Sequence, residues 1–445
     1  MPDNSNLPVV VIGAGPIGLA AAANLHNRDI DFLVLESGTE AGAAVREWDH
    51  IRLFSPWSQL IDPEAAKVLA EAGWSEPNPN RYPTGGTWAS EYLQPLADAL
   101  GDKIVYGVTV TGVAKRGRDL IVDSGRKEEA FTVHATGSDG ERRIHARAVI
   151  DASGTWTGAN PLGGDGLLAV GEQAAAGRIA YRVPNTRDEA IRARYAGKHV
   201  VVAGTGVSAK TALLNLADLG GTRVSWLVRR PTTGNAFGGG ENDELAERGA
   251  LGANARKVIE SGSVDTVTGF RTASVDIQDD GLLTLTSFSG KTVADVDEVI
   301  VLTGFRPDLS ILTEVRLDLD SVLQAPKDLA PLIDPNVHSC GTVYPHGAKE
   351  LVQPDAGFYL AGMKSYGRAT SFLAMTGFEQ VRSVVAEIAG DHESATRVEL
   401  KLPDSGVCGG SGLFDEEEAS TGGGCCGVPA TATVDLIGIG TRPSA

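Results

Sequence analysis

Two glycine-rich sequences in this chain have the residue types and spacing that hold a dinucleotide. They are Gly13-Ala14-Gly15-Pro16-Ile17-Gly18 and Gly204-Thr205-Gly206-Val207-Ser208-Ala209, and each directly follows a run of Val and Ile. In such a turn the first glycine permits the bend, the second lets the backbone approach a pyrophosphate, and the third position lets a helix pack closely on a strand. A chain that binds two dinucleotides is most simply a flavoenzyme that a nicotinamide reduces.

The first sequence lies in the context that dinucleotide binding requires. Residues 8–12 are expected to form a buried parallel strand and residues 17–25 the apolar beginning of a helix, whose N–H groups and positive dipole end favour phosphate. A second strand over residues 31–35 ends at Glu36, where an acid holds the adenosine ribose hydroxyls. The predicted binding residues are Gly13, Gly15, Pro16, Ile17, Gly18 and Glu36.

The second sequence has a basic ribose position. A strand over residues 198–203, a helix over 208–219 and a strand over 223–228 precede Arg229 and Arg230. Two guanidinium groups in place of an acid suit a 2′-phosphate, so NADPH is favoured over NADH. The alternative is that both arginines are ordinary solvated residues at a strand end. The predicted binding residues are Gly204, Gly206, Ser208, Ala209, Arg229 and Arg230.

Composition narrows the classes of partner. The chain has 445 residues, of which 42% are hydrophobic, enough for two or three cores, and a net charge of −18 argues against nucleic acid or an anionic membrane surface. No stretch is predicted to span a bilayer. Four cysteines are too few for a disulfide framework, which fits a reducing cytoplasm.

An aromatic-rich excursion over residues 47–88 follows the first unit. Trp48, Arg52 and Trp57 are candidates to line a flat isoalloxazine ring, although these aromatic residues could equally well pack the loop onto its domain. Strands are predicted over residues 103–113, 119–123, 131–136 and 144–152, and the last one leads to Gly154 beside the bound dinucleotide. Residues 235–242 have the composition of a mobile loop that closes over the nicotinamide or merely connects.

Over residues 7–390 the chain resembles flavoproteins with two dinucleotide-binding domains, and within them the flavin-containing monooxygenase branch. The resemblance rests on both fingerprints and Glu36, on Leu302-Thr303-Gly304-Phe305-Arg306-Pro307, and on Phe358-Tyr359-Leu360-Ala361-Gly362. It implies an α/β fold of two Rossmann-like domains, with the NADPH domain inserted in a split FAD domain. The implied divisions are residues 1–160 and 311–395 for FAD, 161–310 for NADPH, and 396–445 for a flexible Cys- and Gly-rich tail.

One position departs from the family pattern. Relatives often carry Gly-Asp where this chain has Gly362-Met363, so we expect a backbone amide to serve instead of the acid. A helix over residues 369–388 should aim its N-terminus at the flavin, unless it is a plain closing helix. No Cys-x-x-Cys pair lies near either fingerprint, which argues against a thioredoxin-reductase type of enzyme. The further cofactor-binding residues are Trp48, Arg52, Gly154, Gly304, Gly362, Met363, Ala369 and Thr370.

Three of the four cysteines cluster in the tail. Cys408, Cys425 and Cys426 are flanked by glycine, and a flexible backbone would let three thiolates converge on one soft ion. Trivalent arsenic or antimony suits such a site, followed by Cu(I), whereas zinc would need a fourth ligand such as Cys340 or His338. The alternative is a disordered tail with incidental thiols.

The tail together with the segment from Gly362 to Arg368 resembles flavoproteins of bacterial arsenic-resistance operons. That resemblance implies a role in detoxifying trivalent arsenicals, in which the tail captures the ion and the flavin site acts on it. Our hypothesis for the mechanism is oxidation of the arsenical with oxygen through a peroxyflavin, with Arg52, Trp57, Ser365 and Tyr366 as the predicted catalytic residues of the pocket. The alternatives are a flavin-dependent thiol or metal reductase and an arsenical-binding flavoprotein. A homodimer is possible, in which the tail serves its own active site or its neighbour's.

Overall fold

The structure, a computed structural model, describes residues 4–238, 243, 245–337, 345–369 and 372–400. Two five-stranded parallel sheets form its framework. Their Val- and Ile-rich strands are buried and need helices on both faces, which is the arrangement of a doubly wound α/β fold. The predicted fold class is therefore confirmed.

The strands occur in two similar series. In chain order they are β1 Val9–Ile12, β2 Phe32–Leu35, β3 Ile104–Val105, β4 Thr109–Lys115, β5 Phe131–Gly137, β6 Gly140–Ala146, β7 Ala148–Asp151, β8 Ile179–Ala180, β9 His199–Ala203, β10 Arg223–Val228, β11 Asp265–Thr268, β12 Thr272–Ile277, β13 Leu283–Ser287, β14 Thr292–Val296, β15 Glu298–Val301 and β16 Phe358–Leu360.

Helices cover the sheets and form the connections between strands. They are α1 Pro16–His26, α2 Ala43–Arg46, α3 Pro63–Glu71, α4 Gly85–Trp88, α5 Gln94–Leu100, α6 Glu189–Tyr195, α7 Val207–Ala217, α8 Ala246–Glu260, α9 Ala330–Ile333, α10 Ala348–Leu351, α11 Ala374–Ile388 and α12 His392–Thr396. A π-helical turn, Ala89–Leu93, joins α4 to α5.

The first sheet combines two separate stretches of the chain. Its order is β16-β7-β1-β2-β3, and β1 is completely buried at its centre. Helices α1 and α11 pack against it and against each other, and their Ala, Leu and Val side chains share one apolar core. Because β16 follows all strands of the second sheet in the chain and pairs with β7, this is the sheet of a split domain.

The second sheet is built entirely from the inserted stretch between β7 and β16. Its order is β11-β10-β9-β15-β8, all parallel. Trp226 of β10 is fully buried beneath α7 in its core. Each sheet is followed by an antiparallel three-stranded unit, β4-β5-β6 or β12-β13-β14, after which the chain returns to its own sheet as β7 or β15.

The strand predicted over residues 119–123 is absent, and this prediction was wrong. The Asp119 carbonyl accepts a hydrogen bond from Arg126 (2.8 Å), and the Leu120 carbonyl accepts two from Arg316 (3.0 and 2.8 Å). Arg126 is itself buried and forms a two-point ion pair with Asp355 (2.9 and 2.6 Å). Guanidinium groups thus satisfy the carbonyls that a neighbouring strand would otherwise pair.

Across the described parts of the chain, no helix is both long enough and apolar enough to cross a membrane.

Candidate cofactor-binding and active site

The turn between β1 and α1 forms a backbone cradle at the carboxyl edge of the first sheet. Gly13 has a φ of 96°, and a Cβ added at Gly18 would lie 1.8 Å from the Gly13 carbonyl oxygen. Gly15 is the N-cap of α1 and has no side-chain cap, and a Cβ added to it would meet no atom within 4 Å. Because Pro16 lacks an N–H, Ile17 and Gly18 supply the first backbone donors of the helix. This open, positively polarised space fits a pyrophosphate.

Glu36 braces this cradle from the end of β2. Its Oε2 accepts a hydrogen bond from the Ala14 N–H (2.7 Å), and its Oε1 accepts one from the Gly38 N–H (2.7 Å). Each carboxylate oxygen can accept a further hydrogen bond. The side chain therefore lies beside the cradle, as an acid that holds ribose hydroxyls must, and it also fixes the shape of the turn.

Asp151 and Lys364 form a buried ion pair that the sequence analysis missed. Asp151 ends β7 in register with Ile12 of β1, and its Oδ2 accepts a hydrogen bond from Lys364 Nζ (2.7 Å). Their side chains are 0% and 2% exposed. Ser153 completes the group, because its hydroxyl donates to Asp151 Oδ1 (2.6 Å) and accepts from Lys364 Nζ (3.0 Å). The sequence signal was an acid that ends an otherwise apolar strand, but nothing in it identified the partner 213 residues away.

A buried hydrogen-bond network holds the turn that follows β16. Gln380 Oε1 accepts from the Gly362 N–H (2.8 Å), and its Nε2 donates to Ser365 Oγ (2.9 Å) and to His346 Nε2 (2.9 Å). Ser365 Oγ in turn donates to the Gly362 carbonyl (2.8 Å), so the hydroxyl already both donates and accepts. Tyr366 is buried as well, and burial raises the pKa of its phenol. Both side chains therefore hold the turn in place, and their catalytic role stays a prediction.

The helix predicted from residue 369 begins five residues later, at Ala374. Gly367 has a φ of 57°, and the Arg368 N–H donates to the Leu323 carbonyl (2.7 Å), so the chain here is held against a neighbouring loop in a non-helical conformation. Ala369 is buried just after this turn. A Cβ added at Gly377 would lie 2.4 Å from Ile17 Cδ1, so the first turns of α11 and α1 are in close contact.

The aromatic excursion separates its three candidates. The Trp57 side chain is buried, and the Trp57 backbone N–H donates to the Arg81 carbonyl (2.9 Å). Trp48 is half-buried and lies so close to Gly85 that a Cβ there would approach its ring to 2.4 Å. Of the three, only Arg52 is exposed. Both tryptophans thus contact the excursion itself, and Arg52 keeps an accessible guanidinium; that these residues line the flavin ring stays a prediction.

A second cradle lies between β9 and α7. Gly204 has a φ of 124°, and a Cβ added to it would lie 2.2 Å from the Leu302 carbonyl oxygen. Gly206 is the N-cap of α7, again with no side-chain cap and with open space in front of it. Ala209 is fully buried where the first cradle has its third glycine, and Ser208 lies half-buried in the first turn of the helix.

Arg229 and Arg230 form a cationic group with Arg271 at the end of β10. Desolvation and then the nearby Arg271 charge lower the pKa of Arg229, although its side chain reaches solvent; desolvation and then Arg229 lower the pKa of Arg230. Within the described ranges, neither Arg229 nor Arg230 forms an ion pair with an acid. Like charges held together in this way favour an anion.

The two connections between the sheets run antiparallel, with Ala159 opposite Phe305. Trp156 stacks on Phe305, with ring centroids 5.3 Å apart, and the Arg182 guanidinium lies 3.9 Å from the Trp156 ring centroid. Trp156 Nε1 donates to Glu47 Oε2 (2.7 Å), so the aromatic pair also contacts the excursion of the first unit. This cluster ties the two nucleotide units together beside their cradles.

Gly154 and Gly304 take corresponding places beyond β7 and β15. Their φ angles are 71° and 95°, in the region that favours glycine. A Cβ added at Gly154 would meet no atom within 4 Å, whereas one at Gly304 would lie 3.4 Å from Asn160 Nδ2. Both glycines therefore allow the chain to turn away from its sheet.

The remaining predicted residues lie outside the described part of the chain. They are Thr370, the tail residues Cys408, Cys425 and Cys426, and the alternative zinc ligands Cys340 and His338. Among the residues that are described, no group of three or more His, Cys, Asp or Glu side chains is arranged to hold a metal ion.

Two backbone cradles on one chain, one with an acid and one with arginines at the ribose position, define a flavoprotein oxidoreductase with a separate site for its nicotinamide. The model of the pyridine nucleotide-disulphide oxidoreductase family matches residues 10–342, more than half of the chain. The chain belongs to this family. It is an NAD(P)H-dependent flavoprotein oxidoreductase, and the predicted cofactors FAD and NADPH are confirmed at the level of the family.

Several solved structures share the fold. Bacillithiol disulfide reductase from Bacillus cereus is 21% identical, with a TM-score of 0.61, over 86% of this chain and 99% of that one. A flavin monooxygenase variant from Stenotrophomonas maltophilia is 22% identical, with a TM-score of 0.53, over 86% and 98%. Ornithine N-hydroxylase from Kutzneria is 15% identical, with a TM-score of 0.55, over 89% and 100%. No curated protein matches the sequence.

Proposed function

We propose that this protein is an NADPH-dependent flavoprotein monooxygenase whose substrate is a trivalent arsenical. The observation that carries the choice of monooxygenase is the distribution of thiols. Residues 1–339 contain no cysteine, although both cradles lie within them. A disulfide reductase passes electrons from its flavin through a thiol pair or to a bound disulfide. The described residues offer no thiol pair for the first of these routes, which supports delivery of the electrons to oxygen over their transfer through protein thiols.

The residues of the two cradles have distinct tasks in this proposal. The N–H groups of Ile17 and Gly18 hold the FAD pyrophosphate, and Glu36 accepts from the adenosine ribose. Arg229 and Arg230 hold the 2′-phosphate of NADPH. Bound FAD supplies the chemistry, since it takes two electrons from NADPH and passes them to oxygen.

The substrate class is supported by the sequence of the tail. Cys408, Cys425 and Cys426 are set among glycines, and three thiolates suit a trivalent arsenical. The arsenic lone pair forms a bond to one oxygen atom as the O–O bond breaks, which oxidises As(III) to As(V). The other oxygen atom leaves as water, with the two electrons from NADPH and two protons. In this proposal the tail cysteines bind the arsenical, and the flavin site oxidises it.

The test is to measure NADPH and oxygen consumption together, with and without a trivalent arsenical. We expect the arsenical to stimulate both in a one-to-one ratio and to appear as the pentavalent product. The Cys425→Ser/Cys426→Ser protein should keep reduction of its flavin by NADPH while requiring a higher arsenical concentration. NADPH consumption that the arsenical leaves unchanged would overturn the substrate assignment.

A flavin-dependent disulfide reductase is the second candidate, and the vicinal pair Cys425-Cys426 favours it. The similarity in fold to bacillithiol disulfide reductase and to thioredoxin reductase from T. acidophilum is consistent with it. This candidate predicts NADPH consumption without oxygen when a disulfide is supplied, and its loss in the Cys425→Ser/Cys426→Ser protein. An anaerobic assay with small disulfides separates the two candidates.

A further inference from the structure

The ion pair between Asp151 and Lys364 joins two segments that surround the first cradle. On one side, Gly13 lies against the chain that follows Asp151, since a Cβ added to it would be 3.0 Å from the Ala152 carbonyl oxygen and 3.1 Å from Ser153 Cα. On the other side, Lys364 lies in the 3₁₀ turn Gly362–Tyr366. The ion pair therefore links the two segments directly.

The same turn is also packed against the first turn of α1. A Cβ added at Gly362 would lie 3.0 Å from Ile17 Cγ1, and Gly362 itself has a φ of 69°. Within the turn Gly362–Tyr366, only Met363 is partly exposed. Its backbone N–H has no hydrogen-bond acceptor among the described residues, and it is the amide expected to replace the acid of the family pattern. The position of that amide depends on where Lys364, the next residue, is held.

Stability alone is a weak reason for such a pair. Two charges lose their hydration when they are buried, and apolar residues of similar volume often replace a buried pair at no net cost in stability. The pair is nevertheless completely enclosed, with Ser153 bonded to both charged groups and the Ser153 N–H donating to Asp151 Oδ1 (3.1 Å). A directional ion pair fixes the distance between the segments that it joins, whereas an apolar pair does not.

We propose that Asp151 and Lys364 are positioning residues for FAD: the pair sets the spacing between the Gly13 turn and the Gly362–Tyr366 turn, so that the Met363 amide reaches the cofactor in place of the missing family carboxylate. The proposal rests on the FAD assignment and not on whether oxygen or a disulfide reoxidises the flavin. The proposal predicts that loss of the pair weakens FAD binding even where folding is unaffected, because the pair contributes to binding through the spacing of the two turns.

The test compares Lys364→Met, Asp151→Asn and the double variant Asp151→Asn/Lys364→Met. Each single variant leaves one buried group without its charged partner, and we expect both to lower the unfolding midpoint. The double variant removes both charges, so its midpoint as apoprotein should return close to that of the wild type. Its affinity for FAD, measured by titration of the apoprotein, should stay at least tenfold weaker than that of the wild type. The midpoint potential of its bound flavin should still differ from the wild-type value.

Two further variants supply a control and a second test. Lys349→Met removes an exposed lysine of α10 in the same return segment and should leave FAD affinity within twofold of the wild type. If the double variant fails to fold, Ser153→Ala is the second test, because it removes only the hydroxyl that links the pair, and several-fold weaker FAD binding is expected.

Recovery of both stability and FAD affinity in the double variant would overturn the proposal and leave the pair a folding element; so would unchanged FAD affinity in Ser153→Ala. Neither measurement uses oxygen or an arsenical, so failure here is distinct from failure of the monooxygenase assignment.

Discussion

The first and second dinucleotide units follow one plan, strand for strand. In each, a central buried strand leads through a glycine turn to a helix, and an antiparallel three-stranded unit precedes the return to the sheet. The first glycine of each turn, Gly13 or Gly204, has a positive φ, and the second, Gly15 or Gly206, is an N-cap that faces open space. The backbone geometry that suits a pyrophosphate is thus shared by both units.

The units differ where side chains decide the outcome. The third turn position is Gly18 in one and Ala209 in the other, and the next is Leu19 or Lys210. The second strand is followed by Glu36 in the first unit and by Arg229 and Arg230 in the second. The comparison indicates that the two units share a backbone plan and differ in the side chains at the predicted ribose position.

The largest effect is expected at the third turn position. A Cβ in Gly18→Ala would lie 1.8 Å from the Gly13 carbonyl oxygen, a backbone atom, so α1 must move away from β1. We expect a protein purified with less than about a tenth of the normal FAD content, in line with the ~3 kcal/mol that severe overpacking costs. The mirror variant, Ala209→Gly, loses only about 1 kcal/mol of helix stability and should keep NADPH binding. Flavin absorbance and NADPH titration check both, and full FAD occupancy in Gly18→Ala would contradict the geometry.

Buried acids in the segments between the second and third strands make the next contrast. Asp243 is paired with Arg248 at 3.0 Å, whereas Asp62 is the N-cap of α3 and has no ion pair in the described regions. Burial raises the pKa of Asp62 to about 7. The folded state then binds more protons than the unfolded state between pH 3.8 and about 7, so its contribution to stability falls as pH rises through that window.

Asp62→Asn keeps an acceptor for the Ala65 N–H and removes the titration. Relative to wild type, the variant should gain stability with rising pH by roughly 1 kcal/mol per unit, reaching about 3 kcal/mol at pH 8. Urea unfolding at several pH values measures this difference. If stability depends on pH in the same way in the two proteins, the prediction is contradicted, because burial then does not raise the pKa of Asp62. Asp243→Asn serves as the contrast, since it leaves the half-buried Arg248 without its charge partner and should destabilise at every pH in this range.

These contrasts also show what the sequence could and could not predict. The glycine turns, Glu36 and the return strands were predictable because each depends on local pattern, a run of Val and Ile that ends in glycine. The prediction of a strand over residues 119–123 was wrong, because Arg126 and Arg316 donate hydrogen bonds to its carbonyls and are brought there only by the tertiary fold. The late start of α11 depends in the same way on contact of Gly367 with the Leu323 loop. The sequence could not identify Lys364 as the partner of Asp151, since no pattern of spacing connects the two residues.

The ribose position offers a test of nucleotide choice. If Arg229 and Arg230 hold the 2′-phosphate as proposed, Arg229→Ala/Arg230→Ala removes two charge-assisted contacts, each worth about 1.5–3 kcal/mol. We expect KM for NADPH to rise at least tenfold while KM for NADH changes less than about threefold, since NADH has no group for these residues to bind. Exchange of the exposed Arg52 for Ala is the matched control outside the second unit, and it should leave the ratio of the two KM values unchanged. An equal rise for both nucleotides would show that the arginines act on the fold of the unit rather than on the phosphate.

The smallest effect is expected one position further along the two helices. Lys210 is buried, and its Nζ donates to the Ala236 carbonyl (3.1 Å), where the first unit has Leu19 in its apolar core. Burial, followed by the nearby charge of Arg248, lowers the pKa of Lys210 to about 8. Between about pH 8 and 10.5 the unfolded state binds more protons than the folded state, so the contribution of this lysine to stability rises with pH.

Lys210→Leu copies the first unit into the second and removes that dependence. Between pH 7 and 9 the wild type should gain about 1 kcal/mol relative to the variant, because only the wild type releases a proton on folding. Leucine also removes the hydrogen bond to the Ala236 carbonyl, and that loss should lower stability equally at every pH. Only a change in the pH dependence of stability therefore reports the charge of Lys210. Urea unfolding at pH 7, 8 and 9 makes that distinction: a constant offset would assign Lys210 to the hydrogen bond, and a diverging pair of curves assigns it to the buried charge that the first unit lacks.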